Sequence, residues 1–478
     1  RMLSLTSGLK PVRLKTAASP RKYLKFTAYT GFLSVFRIQF CTMQFFVFKG
    51  LFVSVAVVCL HYYSAEANAF LDKRTEARVQ PRKDILAILE RELGSGHGRA
   101  DRARVAKLQE ELNHTFTSLP KNRYGNLQAA GARYALHRLF VQRHAWQVQG
   151  VEPGGEGWSN SSAADALGDR VPARVRMVFE ERLGEGGVSL HELAVLASLL
   201  ESMVHVEVDD RLRVALQAFG KSASDTLDED MATSVLHSYM ASYILGVPVA
   251  KLTPEGVRVH SQKVKKAYPT WPDTQKFVTE VRDAVAHGAA WYNFDLMANI
   301  LARVGDEYGR WQSKECTVLK TKLVGLESRA GSGRVRLSDF YNSALSGENW
   351  QFSESIDYLR LLGALDESSP SEPSVIIPNY IGSLANCVAS SGYYSVCCID
   401  ECEELLDELE RQIGAPTARV DDISRVLSGP TANRTLPVAL LHRLDDVAAY
   451  HGGAVPLHGR LFAQWLHHAY PRECPYPH

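Results

Sequence analysis

The chain lacks almost every motif that would name a reaction. It has no His-Glu-x-x-His, no Gly-x-Ser-x-Gly and no phosphate-binding Gly-x-x-x-x-Gly-Lys-Ser/Thr. The Gly-Ser-Gly stretches at Gly94 and Gly331 follow no strand pattern, so neither reads as a dinucleotide turn. No Cys-x-x-Cys pair is present, which argues against a redox dithiol. With 34 glycines and 20 prolines among 478 residues, the chain is neither disordered nor fibrous in composition. Strand-like runs are few and short, chiefly Ser374 to Ile377.

A basic surface is missing too. The formal net charge is +1, but residues 1–69 hold nine Lys/Arg and a single acid, Glu66. The remainder carries 45 basic and 52 acidic residues, a net −7. A mildly acidic body argues against nucleic acid as a partner, because electrostatic phosphate binding needs a clustered basic face.

The basic start reads as targeting. From Met43, "MQFFVFKGLFVSVAVVCLHYYSAEANAF" has an apolar run from Leu51 to Leu60. Small residues follow at Ala65 and Ala67, or Ala67 and Ala69, with signal-peptidase spacing. A cleaved signal peptide at 43–69, within a targeting region 1–69, is preferred to an uncleaved anchor, since Gly50–Ala69 is only marginally long for a span. A small residue before Phe70 also matches bipartite plastid signals, so secretion and the plastid route both stay open. The chain opens on Arg1 and closes on Pro477-His478 without a polar tail, so the natural protein is expected to extend further.

Six cysteines remain in the body: Cys316, Cys387, Cys397, Cys398, Cys402 and Cys474. Their number suits an oxidising lumen and allows fifteen pairings. The main expectation is a staple tying the acidic helix Asp400–Ile413, through Cys398 or Cys402, to the loop at Cys387. A zinc site in this cluster is the sharper alternative, without ribbon or finger spacing to support it. Asn113, Asn160 and Asn433 are N-glycosylation candidates. His458, His467, His468, Cys474 and His478 form a Cys/His-rich end that suits a transition metal. The bland reading is an amphipathic helix with the apolar stripe Leu461, Phe462, Trp465 and Leu466.

Hydrophobic spacing of three and four predicts helices over most of the body, hence a mainly α, multi-module protein with very short β pairings. Gly-x-Val-x-Leu recurs at Gly186, Gly333 and, more faintly, Gly453. Each copy sits between helical patterns and fits the calcium-binding helix-loop-helix frame, with an apolar residue at position eight that bridges to a partner loop. Matched spacings predict Val188 pairing with Leu227 and Val335 with Val375. The expected division is 70–165 helical, 170–285 EF-hand-like pair 1, 286–395 EF-hand-like pair 2, and 396–478 the Cys/His-rich helical region.

Calcium needs six to eight oxygens from positions one, three, five, seven, nine and twelve. Loop one offers Glu181, Glu185, the Gly187 carbonyl, Ser189 and Glu192, but Leu183 stands at position three. Loop two has only Asp339 and brings in Arg336. The frame is therefore read as degenerate, with weak calcium binding confined to Glu181, Glu185, Ser189 and Glu192.

Long phrases, "FEERLGEGGVSLHELAVLASLLE", "NWQFSESIDYLRLLGALDE", "PNYIGSLANCVASSGYYSVCCIDECEELL" and "PLHGRLFAQWLHHAYPRECPYPH" among them, resemble a family of dinoflagellate and related algal proteins across residues 110–478. The resemblance implies a secretory-route protein, with a membrane anchor in a further C-terminal part. It carries over no activity, ligand or catalytic residue. The leading expectation is a non-enzymatic luminal, extracellular or membrane-associated scaffold that binds other proteins. The competing one is a metal- or thiol-dependent enzyme built on the C-terminal region.

Overall fold

The computed structural model describes residues 102–148, 151, 186–346, 352–389, 391, 394–429 and 436–477. All of them belong to one compact unit, Pro81–His478. The targeting region, Glu181, Glu185, Asn160 and Asn433 lie outside the described residues.

The protein is mainly α. In chain order come α1 (Arg102–Ser118), α2 (Ala129–His144), β1 (Trp146–Val148), α3 (Leu190–Ala218), α4 (Glu229–Ile244), α5 (Pro254–Ala267), α6 (Trp271–Ala286) and α7 (Phe294–Gly325). Then follow β2 (Arg334–Arg336), α8 (Leu337–Ser346), α9 (Ile356–Leu361), β3 (Leu365–Asp366), β4 (Ser374–Ile376), α10 (Ile377–Ile381), β5 (Val388–Ala389) and β6 (Tyr394–Val396). The chain ends with α11 (Glu401–Ile413), β7 (Thr417–Ala418), α12 (Val420–Leu427), α13 (Val438–Tyr450), β8 (Val455–Pro456) and α14 (Arg460–Ala469). Among the described residues no helix is long and apolar enough to cross a membrane.

The organising contact is a turn between two helices whose single buried residue bridges to a second such turn. Leu127 pairs with Val188, and Leu227 with Tyr292, each through two reciprocal backbone hydrogen bonds of 2.8–2.9 Å. Val335 pairs with Val375, and Ala418 with Val455. All pairings are antiparallel and all eight residues but Ala418 are almost fully buried, so each bridge closes a small core rather than an exposed edge. Val335–Val375 matches the register expected from sequence. Val188–Leu227 is corrected: Val188 is taken by Leu127, sixty-one residues upstream, and Leu227 turns to Tyr292. The first pair therefore lies within 102–218, across the expected boundary near residue 170. The region 396–478 holds a fourth pair.

The residue after the bridge commonly starts the next helix. Ser189 caps α3 in a capping box with Glu192, Asp228 accepts from Met231 N at 2.8 Å, and Asn293 accepts from Leu296 N at 2.9 Å. Such side-chain caps satisfy backbone N–H groups that the helix itself leaves free. Two helices are shared between pairs: α3 leaves the first and enters the second, and α7 leaves the second and enters the third. The sequence pattern divides α3 near Val206, where "EVDD" breaks the apolar spacing. The helix continues because Arg211 binds Glu207 at 3.1 Å one turn away and donates to Val247 O at 3.0 Å, which makes the acid tolerable in a buried position.

The first two pairs share one core, while the third and fourth have cores of their own. A small sheet, β1-β6-β5, joins the first unit to the segment after the third, with Trp146 opposite Val396 and Val148 opposite Tyr394. Three disulfides fix these joints: Cys316–Cys398, Cys387–Cys397 and Cys402–Cys474. The expected staple is thereby corrected. Cys387 closes the β5–β6 hairpin onto Cys397, and α11 is tied through Cys402 to the C-terminal tail instead.

Candidate functional site

The calcium positions do other work. Glu192 Oε2 accepts from Ser189 N at 2.9 Å and from Ser189 Oγ at 2.8 Å, so the carboxylate expected at position twelve closes the capping box. The Gly186 carbonyl is occupied by the amides of Asn122, at 3.0 Å, and Asn126, at 2.8 Å, from the partner turn. In the third pair the chain's own cations stand among the loop acids. Arg336 binds Asp339 at 2.9 Å and Arg334 binds Asp366 at 2.7 Å. Asn113 is exposed on the middle of α1, not in a loop.

The C-terminal Cys/His region holds no thiol among its described cysteines, since Cys397, Cys398, Cys402 and Cys474 are all in disulfides. His467 receives Arg334 on Nε2 at 3.1 Å and faces Cys474 O through Nδ1 at 2.8 Å. Arg472 forks onto Glu327 at 2.6 and 2.9 Å, and Asn379 exchanges two hydrogen bonds with the Tyr476 backbone. The tail is a clasp across the third pair. Pro471 O packs so closely on Gly333 that any side chain there would collide with it.

The densest ionisable group lies between the first and fourth pairs, and no sequence motif marked it. On α11 the acids Glu403, Asp407 and Glu410, spaced four and three apart, form one stripe. That stripe faces His114 and Thr115 of α1 and Tyr134 and Arg138 of α2. Arg138 is fully buried and ion-pairs with both Glu403 and Glu410. Its guanidinium lies 5.8 Å from the centre of the Tyr134 ring, and it also donates to Glu403 O at 3.2 Å. Thr115 Oγ1 donates to Glu410 Oε2 at 2.9 Å, and His458 Nε2 sits 3.1 Å from Glu410 Oε1. His114 Nε2 lies 2.5 Å from Asp407 Oδ1 without hydrogen-bond alignment.

Electrostatically the group is short of positive charge. Burial, reinforced by Glu403, pushes the Asp400 carboxyl up to about 7 despite the hydrogen bond from Cys402 N and the charge of Arg138. Burial likewise raises Glu403, with the Glu410 charge adding to it against Arg138. Burial would raise Glu410 as well, but His458, Arg138 and Thr115 together hold it below its ordinary value. Desolvation lowers His114 and so favours its neutral form. A sequence reader sees only an acidic amphipathic helix here; its partner Arg138 stands 265 residues upstream of Glu403.

A second buried acid, Glu201 on α3, is ringed by Arg104 at 2.6 Å, His144 at 3.5 Å and Arg143 at 3.7 Å. Burial opposes its charge, yet His144, Arg104 and Arg143 bring it down to about 2. Away from both groups, α6 and α7 enclose a cleft of about 430 Å³ on the stacked Phe277 and Trp311 rings. Its Glu315 carboxylate is already bound by Tyr268 and Thr270.

No family model, curated protein or solved structure matches the chain. The class is therefore defined by geometry alone: a disulfide-stapled, mainly α protein of paired helix–turn–helix units.

Proposed function

We propose that the protein is a non-enzymatic scaffold of the secretory route, built from four EF-hand-like pairs that kept the loop-to-loop bridge and gave up the calcium ligands. One observation carries this reading: the bridges recur at all four pairs while Glu192, Asp228 and Asn293 serve as helix caps or cap partners. An EF-hand pair is held together by its bridge and its packed helices, so it survives ligand loss if local hydrogen bonds replace the metal's ordering effect. Three disulfides and the apolar run Leu51–Leu60 support an oxidising, luminal or extracellular setting.

Other proteins are the proposed partners. Large apolar side chains stand exposed at the turns, with Trp291 66%, Tyr450 77% and Leu361 81% accessible. The ends of scaffold units are suitable places for such anchors.

Calcium added to chelator-treated full-length protein is expected to leave its melting temperature and tryptophan fluorescence unchanged. A saturable shift below about 1 mM, the range of weak extracellular sites, would show that the ligands still function. Cross-linking in secreting cells is expected to trap a protein partner that the double variant Trp291→Ser, Leu361→Ser loses. An unchanged cross-link pattern removes those side chains from the reading.

A further inference from the structure

We infer that His114, Asp407 and Glu410 form a zinc-class divalent metal site that clamps α1 of the first pair to α11 of the fourth. One imidazole nitrogen and two carboxylate oxygens lie within 4.8 Å of one another, which makes them the metal-donor group found among the described residues. Donors on one ion with bonds of about 2.0–2.2 Å lie about 3.3–3.6 Å apart, so the three side chains would close around it on binding. The donor set points to zinc and its neighbours rather than to calcium, which takes oxygen almost exclusively.

Two further observations favour a cation here over a bare ion pair. His114 Nε2 and Asp407 Oδ1 are 2.5 Å apart but not aligned to share a proton. An ion bound by both would part these atoms to about 3.3 Å, the edge of a tetrahedron with 2.0 Å bonds. Both carboxylates are also oriented from behind, as metal ligands usually are. Arg411 holds Asp407 by its other oxygen, Oδ2. Arg138 and His458 hold Glu410 by Oε1, while Oε2 accepts from Thr115 and keeps one lone pair.

The inference stands apart from the scaffold reading, because silent EF-hand-like loops neither need nor forbid an ion between the units. The chemistry it assigns is structural. Three protein donors leave a fourth position for water, and the gain is a joint between residues 293–296 apart in sequence.

The test uses the full chain, stripped with a chelator and titrated with Co²⁺ and then Zn²⁺. One equivalent is expected, with visible d–d absorption from Co²⁺ that Zn²⁺ quenches. His114→Gln and Asp407→Asn leave the Arg138–Glu410 pair intact and are each expected to weaken binding by at least about 100-fold, the upper range for loss of a mere supporting group. If either variant unfolds, X-ray absorption of the zinc-loaded wild type decides: one imidazole nitrogen with carboxylate oxygens supports the site. No stoichiometric binding, binding retained in both variants, or an all-oxygen shell overturns it.

Discussion

Replacing Arg138 by Met tests whether the buried ionic group holds the first and fourth pairs together. Methionine fills much of the same volume, so the packing loss is small and the change is mainly electrostatic. The guanidinium is fully buried and pairs with Glu410, which is fully buried too, and with Glu403, which is nearly so. Removing one member of a buried ion pair costs about 3–5 kcal/mol, because the remaining charge loses its partner and has no water to replace it.

The pH dependence follows from the same contacts. In the wild type Glu410 is held below its ordinary value, so its contribution is present at neutral pH and is lost as pH falls through that depressed folded value. In Arg138→Met, Glu410 keeps His458 and Thr115, whereas Glu403, already raised by burial, loses the guanidinium that opposed the rise. Glu403 then takes up a proton on folding more strongly, so the variant loses stability as pH rises from the ordinary glutamate range upward. The gap between wild type and variant should therefore widen with pH. Urea unfolding at pH 5 and pH 8 reads this directly, and adding Glu403→Gln should recover about 2 kcal/mol of the loss at pH 8 by removing the stranded charge. A loss below about 1 kcal/mol, or one equal at both pH values, refutes the argument.

Two further outcomes are checked in the same way. Gly187 has φ +67° and an added Cβ would lie 2.6 Å from Leu127 O, so Gly187→Ala should cost about 1–3 kcal/mol, whereas Gly186→Ala, with open space around it, should stay within about 0.5 kcal/mol; equal effects would refute the bridge geometry. Asp400 has a folded value raised to about 7, so it takes up a proton on folding and its stability is lost as pH rises from about 4 through 7. Asp400→Asn keeps the oxygen that caps Cys402 N and should be more stable than wild type at pH 8 by on the order of 1–2 kcal/mol, with little difference at pH 4; a less stable variant at pH 8 would refute the assignment.

Local patterns made much of the helical content legible. The run from Trp291 to Glu327 becomes α7, and Asp273 to Val285 becomes α6 with only its ends moved, because both have regular apolar spacing and recognisable starts. The helix α5 was not read from the sequence. Its stretch "PEGVRVHSQKVKKA" has just two fully buried residues, Val257 and Val264, and owes its start to Thr253 and Pro254. The candidate metal group was invisible for another reason. His114 and Asp407 are ordinary surface-helix residues until α1 and α11 pack together, and that packing depends on contacts across nearly 300 residues.

The pairing error at Val188 shows how one missing element propagates. A turn of this kind needs a small residue for the sharp bend, one apolar residue for the bridge and a helix start just after it. "GGVSLHEL" and "GRVRLSDF" carry all three visibly. "YGNLQAAG" carries them too, with Gly125 at φ +75° and Leu127 buried, but Gln128 gives α2 no side-chain cap to announce it. "AAWYNFDL" hides its bridge in Tyr292, between the exposed Trp291 and the capping Asn293. Because bridges join turns two by two, overlooking Leu127 leaves Val188 without its true partner and offers it the next turn downstream, Leu227. Spacings of 39 and 40 residues then looked like a repeat when only the second was a pair. In the folded chain the separations are 61, 65, 40 and 37, set by how many helices each unit inserts between its turns. The conserved quantity is the bridge itself, so counting turns, and finding an even number, is a stronger guide to such a fold than matching the distances between them.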